Sequence, residues 1–404
     1  MRPNIKIRIS TVTFFQYFAL GSIVPIMTVY LKEYLGFTGS QAGWVLSMTA
    51  FSSVTAPLLS SLVAEKSIST ERLYAVLHVL AAGLIFTLFF QTAFLPVLIL
   101  WLCYMMLMQP TSSLLNGITF HHVSNPKRSF GGIRMWGTIG WIAAAWFFGY
   151  FYVKGGEGRL SHALLVAAGT GVLLCALSLF IPVSREEERK RTTFIPKESL
   201  AVLRQKGPLL LLITGFLVSV CDRYYYFAAA PFLYQIGWSE SSLMPAMSLG
   251  QMSEVAGMAL LGVLLARWNF KKVFALGIIF SAVRFIGLLI GGSKYIALVG
   301  IFFHGLNFAL FYGGAFVYLD GLSERKAKTG VQQLFLLATM GLANLAGNSS
   351  AGWIMDLLTS PETGEVFYRR FWMFPLLLCG VAFILIVAFF RDSAQDGQET
   401  LSPP

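Results

Sequence analysis

Charge is what this sequence has least of. Only 12% of its 404 residues are Asp, Glu, Lys or Arg, against about a quarter in soluble domains. With 56% hydrophobic residues, the chain lacks the polar side chains that would cover a soluble globule and is too apolar for a disordered polymer. Cysteine is also scarce. Cys103, Cys175, Cys221 and Cys379 lie far apart inside apolar stretches, form no Cys-x-x-Cys pair and have no neighbouring His, so they read as packing residues and no metal site is expected. The sequence has no Gly-x-x-x-x-Gly-Lys-Ser/Thr loop, no His-Glu-x-x-His and no Gly-x-Ser-x-Gly, which argues against an ATP-driven pump and leaves an enzyme without support. No cofactor is implied.

What the chain has is long apolar runs. A bilayer-spanning helix needs about 20 mostly apolar residues, and the uninterrupted runs exclude the alternating strands of a membrane β-barrel. The reading is an all-α integral membrane protein with twelve spans, at 10–31, 41–64, 72–90, 95–120, 133–153 and 161–182, then 208–234, 240–266, 273–291, 295–319, 329–355 and 371–390. The stretch 183–207, with Glu186-Glu187-Glu188 followed by Arg189-Lys190-Arg191, reads as a solvated linker between a six-helix half at 1–182 and a second at 208–404. The first span follows a basic tail, but its apolar run is too long for a signal peptide and it is expected to be retained.

The net charge of +11 is explained by sidedness, with no nucleic-acid partner needed. Lys and Arg gather in the two tails and in every second loop, while the opposite loops hold only Lys32, Lys154, Arg159, Lys294, Arg369 and Arg370. The positive-inside rule therefore predicts cytoplasmic termini.

Ionisable residues inside spans are costly and mark functional candidates. They are Arg134 in span 5, Asp222 and Arg223 in span 7, Glu254 in span 8, Arg284 in span 9 and His304 in span 10, with His78 in span 3. Gln251 precedes Glu254 by three, so the two share a helix face that must look into the bundle or a wet cavity. Adjacent residues point about 100° apart on a helix, so Asp222 and Arg223 cannot face one partner. Tyr224-Tyr225-Tyr226-Phe227 beside them offers packing and, at Tyr225, a stacking surface. Arg134, Thr138 and Trp141 share another face, and His304, Asn307, Phe308 and Phe311 form a stripe of their own. Gln16, Gln109 and Asn116 are amides that can line a cavity or glue helices together.

Six plus six spans around a basic linker resemble the major facilitator superfamily, and Ala64-Glu65-Lys66 with Arg72 looks like a degenerate form of its loop signature. A closer resemblance covers nearly the whole chain. Arg134-Met-Trp-Gly-Thr-Ile-Gly-Trp141, Ser248-Leu-Gly-Gln-Met-Ser-Glu254, Val283-Arg284-Phe285, His304-Gly305 and Ala351-Gly-Trp-Ile-Met-Asp356 look like the bacterial nucleoside:proton symporters. More distantly, the same positions are similar to lactose permease-type oligosaccharide:proton symporters.

The resemblance implies a proton-coupled carrier of the bacterial inner membrane that imports a nucleoside by alternating access and functions as a monomer in the bilayer. It implies substrate contacts at Arg134, Thr138, Trp141, Gln251, Glu254, Asn307, Phe308 and Tyr225, and proton coupling at Glu254, Asp222, His304 and Arg284. One departure bears on coupling. Both families place a carboxylate on span 10 soon after the His, where this chain has Asn307, Phe308 and Ala309. Glu254 or Asp222 is then expected to carry the proton; a sugar symporter, an uncoupled facilitator and a membrane protein that binds without transporting are the alternatives.

Overall fold

The computed structural model describes residues 3–52, 68–123, 126–153, 159–183, 197–291, 293–322 and 328–391, nearly all of them helical. Among the described residues, helices lie at each of the predicted positions. They are α1 (Ile5–Tyr34), α2 (Gly39–Ser47, running on as a 3-10 turn Met48–Phe51), α3 (Thr70–Phe89), α4 (Phe94–His122) and α5 (Pro126–Trp146, running on as the π-helical Phe147–Val153). Then come α6 (Leu160–Leu179), α7 (Lys206–Gln235), α8 (Glu240–Leu265), α9 (Phe270–Ile290) and α10 (Lys294–Leu322). The last two are α11, in the pieces Lys328–Leu336, Leu337–Leu342 and Ala343–Leu357, and α12 (Tyr368–Phe389).

Among the described residues, nine of these helices are long and apolar enough to cross a membrane. The other three are α2, described only as far as residue 52, and α5 and α11, whose runs are broken by Arg134 and by Asn344, Asn348, Ser349 and Ser350. The predicted Ala64-Glu65-Lys66 lies outside the described residues. So does most of the predicted linker, apart from a short helix Lys197–Leu203 ahead of α7.

Local chemistry sets the helix ends. Thr38 and Gln41 form a reciprocal capping box at the start of α2, the Ser69 side chain caps α3, and Asn269 caps α9 by accepting from Lys272 N at 3.1 Å. Gly36 and Gly237 turn the chain after α1 and α7 with φ of 68° and 87°, a region open to glycine at little cost.

The chain divides into two compact units, Met1–Thr192 with Gly237–Ser248, and Thr193–Ile236 with Leu249–Pro404. In the first, the opening turns of α8 are held by Tyr34, which donates to Glu240 Oε2 at 2.7 Å, and by Trp146 Nε1, 3.2 Å from Ser248 Oγ. Small residues let its helices close up. A Cβ on Gly140 would run into the Phe14 carbonyl, and one on Gly21 would lie 2.9 Å from Trp141 Cα, so α1 and α5 pack backbone to backbone. In the second unit, Gly300 does the same between α10 and α9, where an added Cβ would lie 2.8 Å from Arg284 O.

Candidate functional site

The second unit encloses an ion pair. Asp222 on α7 and Arg284 on α9 are 2% and 0% exposed, with Arg284 Nη1 2.7 Å from Asp222 Oδ1. Taking two charges out of water is expensive, and the pair persists only where further hydrogen bonds satisfy both partners. Here they do. Tyr312 donates to Asp222 Oδ2 at 2.7 Å, Asn307 Nδ2 reaches Oδ1 at 3.5 Å, and Arg284 Nη2 donates to Ser281 Oγ at 2.9 Å. The guanidinium also lies over the rings of Tyr225 and Phe285, at 4.9 and 4.4 Å.

Helix geometry explains which side chains meet. Ser219, Asp222 and Tyr226 recur at i, i+3 and i+7 on one face of α7, whereas Arg223 turns to α11. There its Cβ would be 2.6 Å from a Cβ on Gly347, and its guanidinium covers Tyr226 at 5.1 Å. Asn307 and Tyr312 are five residues apart, about 140° in a regular α-helix. The π-helical segment Phe308–Gly313 widens that turn and brings both onto Asp222.

The same network fixes the His304 tautomer. Arg284 Nη1 lies 2.6 Å from His304 Nδ1; a guanidinium only donates, so Nδ1 must accept and the ring hydrogen sits on Nε2. His304 Nε2–H therefore donates to the Tyr226 hydroxyl, 2.8 Å away. By the same logic Tyr312, whose hydrogen goes to Asp222, accepts from Ser219 Oγ at 2.8 Å. Cys221 and Cys379 border this cluster with their sulfurs 3.7 Å apart, Cys379 reaching Ser281.

Gln251 and Glu254 sit on α8, one turn from this imidazole. A Cβ on Gly250 would be 3.1 Å from His304 Cδ2, and one on Gly305 would overlap Gly250 O, Glu254 N and Ser253 Oγ. Ser253 Oγ also donates across the same contact, to Phe302 O at 2.5 Å. α8 and α10 are thus locked together where the candidate residues lie. Both Gln251 and Glu254 are half-buried, and Gln251 Oε1 is buried without a hydrogen-bond partner. Gly305→Ala is expected to wedge these helices apart at a cost of about 1–3 kcal/mol, read as a lower melting temperature in detergent; an unchanged melting temperature would mean that the contact can relax.

In the first unit, Arg134 lies over the Tyr17 ring at 4.4 Å and joins Thr13, Ser112 and Asn116 around a small recess. Thr138 and Trp141 follow on the same helix, both half-buried, the Trp141 indole crossing Gly21. Gln16 is glue between helices. It donates to Thr111 Oγ1 at 3.0 Å and Ser112 Oγ at 2.9 Å, and accepts from Tyr74 at 2.7 Å, tying α1, α3 and α4 together. Gln109 is exposed, and His78 is buried against Tyr74, ring centroids 4.4 Å apart.

Of the residues singled out from sequence, the structure gathers Asp222, Arg284, His304, Asn307 and Tyr225 into one cluster. Tyr225 is 1% exposed, with one face against His304 at 4.5 Å and Arg284 over its ring, so it belongs with the ion pair. Phe308 packs near Tyr312, at 5.2 Å. Residues that the sequence reading passed over are Tyr226, Tyr312, Ser281 and Tyr17. Tyr226 and Ser281 were visible as i+4 from Asp222 and i−3 from Arg284, whereas no regular period points to Tyr312.

A family model described as nucleoside H+ symporter matches residues 3–395. The chain belongs to that family. YegT of Escherichia coli (strain K12) is 29% identical over 403 residues, covering 96% of this chain and 94% of YegT. Nucleoside permease NupG of the same organism is 25% identical over 414 residues, covering 96% and 95%. A solved structure of a point variant of nucleoside transporter NupG superposes with a TM-score of 0.87 at 22% identity, over 96% of this chain and all of that one. The fold is therefore that of the major facilitator transporters. As a nucleoside H+ symporter the chain is a multi-pass membrane transporter, not an enzyme.

Proposed function

We propose that this protein imports a nucleoside together with protons by alternating access, in the bacterial cytoplasmic membrane, as a monomer with both termini in the cytoplasm. In this reading two six-helix halves, 1–182 and 208–404, are joined by a cytoplasmic linker. The observation that carries the coupling is a buried Asp222–Arg284 pair, hydrogen-bonded further to Tyr312, His304 and Ser281, with α8, which bears Gln251 and Glu254, packed against His304 through Gly250. A protein that only packs or binds has no use for so costly an arrangement in a membrane.

Arg134, Thr138, Gln251 and Glu254 would address the hydroxyls and base edge, and Trp141 and Phe308 would offer flat apolar faces for the base. Asp222, Arg284 and His304 would carry the coupling. Membership of the nucleoside H+ symporter family and similarity to the nucleoside permease NupG support the substrate class.

The test is uptake of labelled uridine and adenosine, beside a panel of sugars, into proteoliposomes with and without an inward proton gradient. Accumulation of nucleoside above equilibrium, only with the gradient, is expected. Equilibration without accumulation would mark an uncoupled facilitator, the reading that Asn307 and Ala309 on α10 favour; sugar flux without nucleoside flux would overturn the substrate.

A further inference from the structure

Asn307 is fully buried, yet its hydrogen bonding is half used. Its Nδ2 makes one long bond to Asp222 Oδ1, at 3.5 Å, while its Oδ1 is buried with no hydrogen-bond partner. A carbonyl oxygen closed away from water normally has a donor. The neighbouring Asp222 would offer such a donor in its protonated state, to an amide turned so that its oxygen faces the acid. An ionised carboxylate only accepts, and a protonated one acquires an O–H that must find an acceptor. An amide is the side chain that serves both, donating through Nδ2 to the carboxylate and, after a half-turn about its terminal bond, accepting through Oδ1 from the acid.

We infer that Asn307 is the positioning residue that lets Asp222 take up and release the coupled proton, by partnering the carboxylate with its N–H and the carboxylic acid with its C=O. This rests on the proton-coupled reading above and assigns the carrier to Asp222.

The rest of the cluster fits a proton on Oδ1. The proton comes from a hydronium ion, one of whose O–H bonds breaks as the Asp222 O–H bond forms; the carboxylate is neutralised and a water is left. Oδ2 continues to accept from Tyr312, which accepts in turn from Ser219. Arg284 keeps His304 Nδ1 and Ser281 Oγ as acceptors and its two aromatic faces, so these contacts remain when the anion is neutralised. Asp222 is faced by Arg284 from α9, His304 and Tyr312 from α10 and Cys379 from α12, with Cys221, Arg223 and Tyr225 on its own helix. Among the described residues facing it, Asn307 is the one whose acceptor oxygen is buried without a donor; the Tyr312 hydroxyl could accept only by giving its own hydrogen to Ser219.

Three variants test this in proteoliposomes loaded for gradient-driven uridine uptake. Asp222→Asn is expected to reduce accumulation at least tenfold, and the exchange of the two side chains, Asp222→Asn with Asn307→Asp, to recover it to within about threefold of wild type. Asn307→Leu, of similar size but with neither donor nor acceptor, is expected to move the pH profile of uptake by about one unit, which a residue that only packs would not do. No recovery in the exchanged protein, or an unmoved profile in Asn307→Leu, overturns the inference. Absence of accumulation in the wild type would instead strike the proton-coupled reading itself.

Discussion

Replacing Arg284 by methionine is expected to cost about 3–5 kcal/mol of folding stability, because it leaves the Asp222 carboxylate buried without its cation. The side chain is 0% exposed and gives three hydrogen bonds, to Asp222, His304 and Ser281. Methionine reproduces the unbranched stem as far as Nε and carries no charge, so the loss combines the charge and its hydrogen bonds with the guanidinium that lies over Tyr225 and Phe285. The double variant Asp222→Leu with Arg284→Met removes both charges and is expected to regain most of the stability while carrying no gradient-driven uptake. Melting temperatures of the purified proteins in detergent, beside uptake in proteoliposomes, separate the two effects. If the single variant is as stable as wild type, the ion pair is not what holds α7 to α9.

The contrast between the single and double variants shows what such a pair does in this fold. A well-packed apolar substitute for a buried ion pair is often as stable as the pair itself, so retention of Asp222 and Arg284 needs a reason other than stability. Interconversion of states by a proton supplies one. Arg284 Nη1 already contacts two acceptors, Asp222 Oδ1 and His304 Nδ1, and can favour either without leaving its site.

Much of this arrangement was legible in the sequence, and the limits follow from what periodicity can carry. Apolar runs located the helices because lipid demands unbroken hydrogen-bonded segments. The cost of burying charge singled out Asp222, Arg284 and His304, since an ionisable residue inside a span needs a partner. The identity of each partner was out of reach, because it depends on how far α9 and α10 approach each other, and that is set by Gly287 and Gly300 meeting face to face. Tyr312 was missed for a sharper reason. The α-helical period puts Phe311, not Tyr312, on the stripe of His304 and Asn307; the π-helical turn Phe308–Gly313 sends Phe311 against Gly277 and Tyr312 onto Asp222. Gln16 shows the opposite limit. A buried amide in a span reads equally as a wall of the site or as glue, and only its three side-chain partners show it to be glue.

Glu254→Gln separates a substrate contact from a structural one. Gly250, Ser253 and Gly257 form the face of α8 that is locked onto α10, and Gln251 and Glu254 lie on the face beside it, so the helix keeps its position when residue 254 changes. Glutamine has nearly the same shape and loses only the charge. A hydroxyl of the substrate that donates to a carboxylate gains about 1.5–3 kcal/mol from the charged acceptor, so the KM for uridine is expected to rise on the order of 10- to 100-fold. The melting temperature is expected to stay close to wild type, in contrast to Arg284→Met, and this pairing of readouts decides the role. A large KM change in a protein of normal stability puts Glu254 on the nucleoside. A fall in stability like that of Arg284→Met, with KM unchanged, would make it a strut of the bundle and leave Gln251 and Arg134 to recognise the ribose.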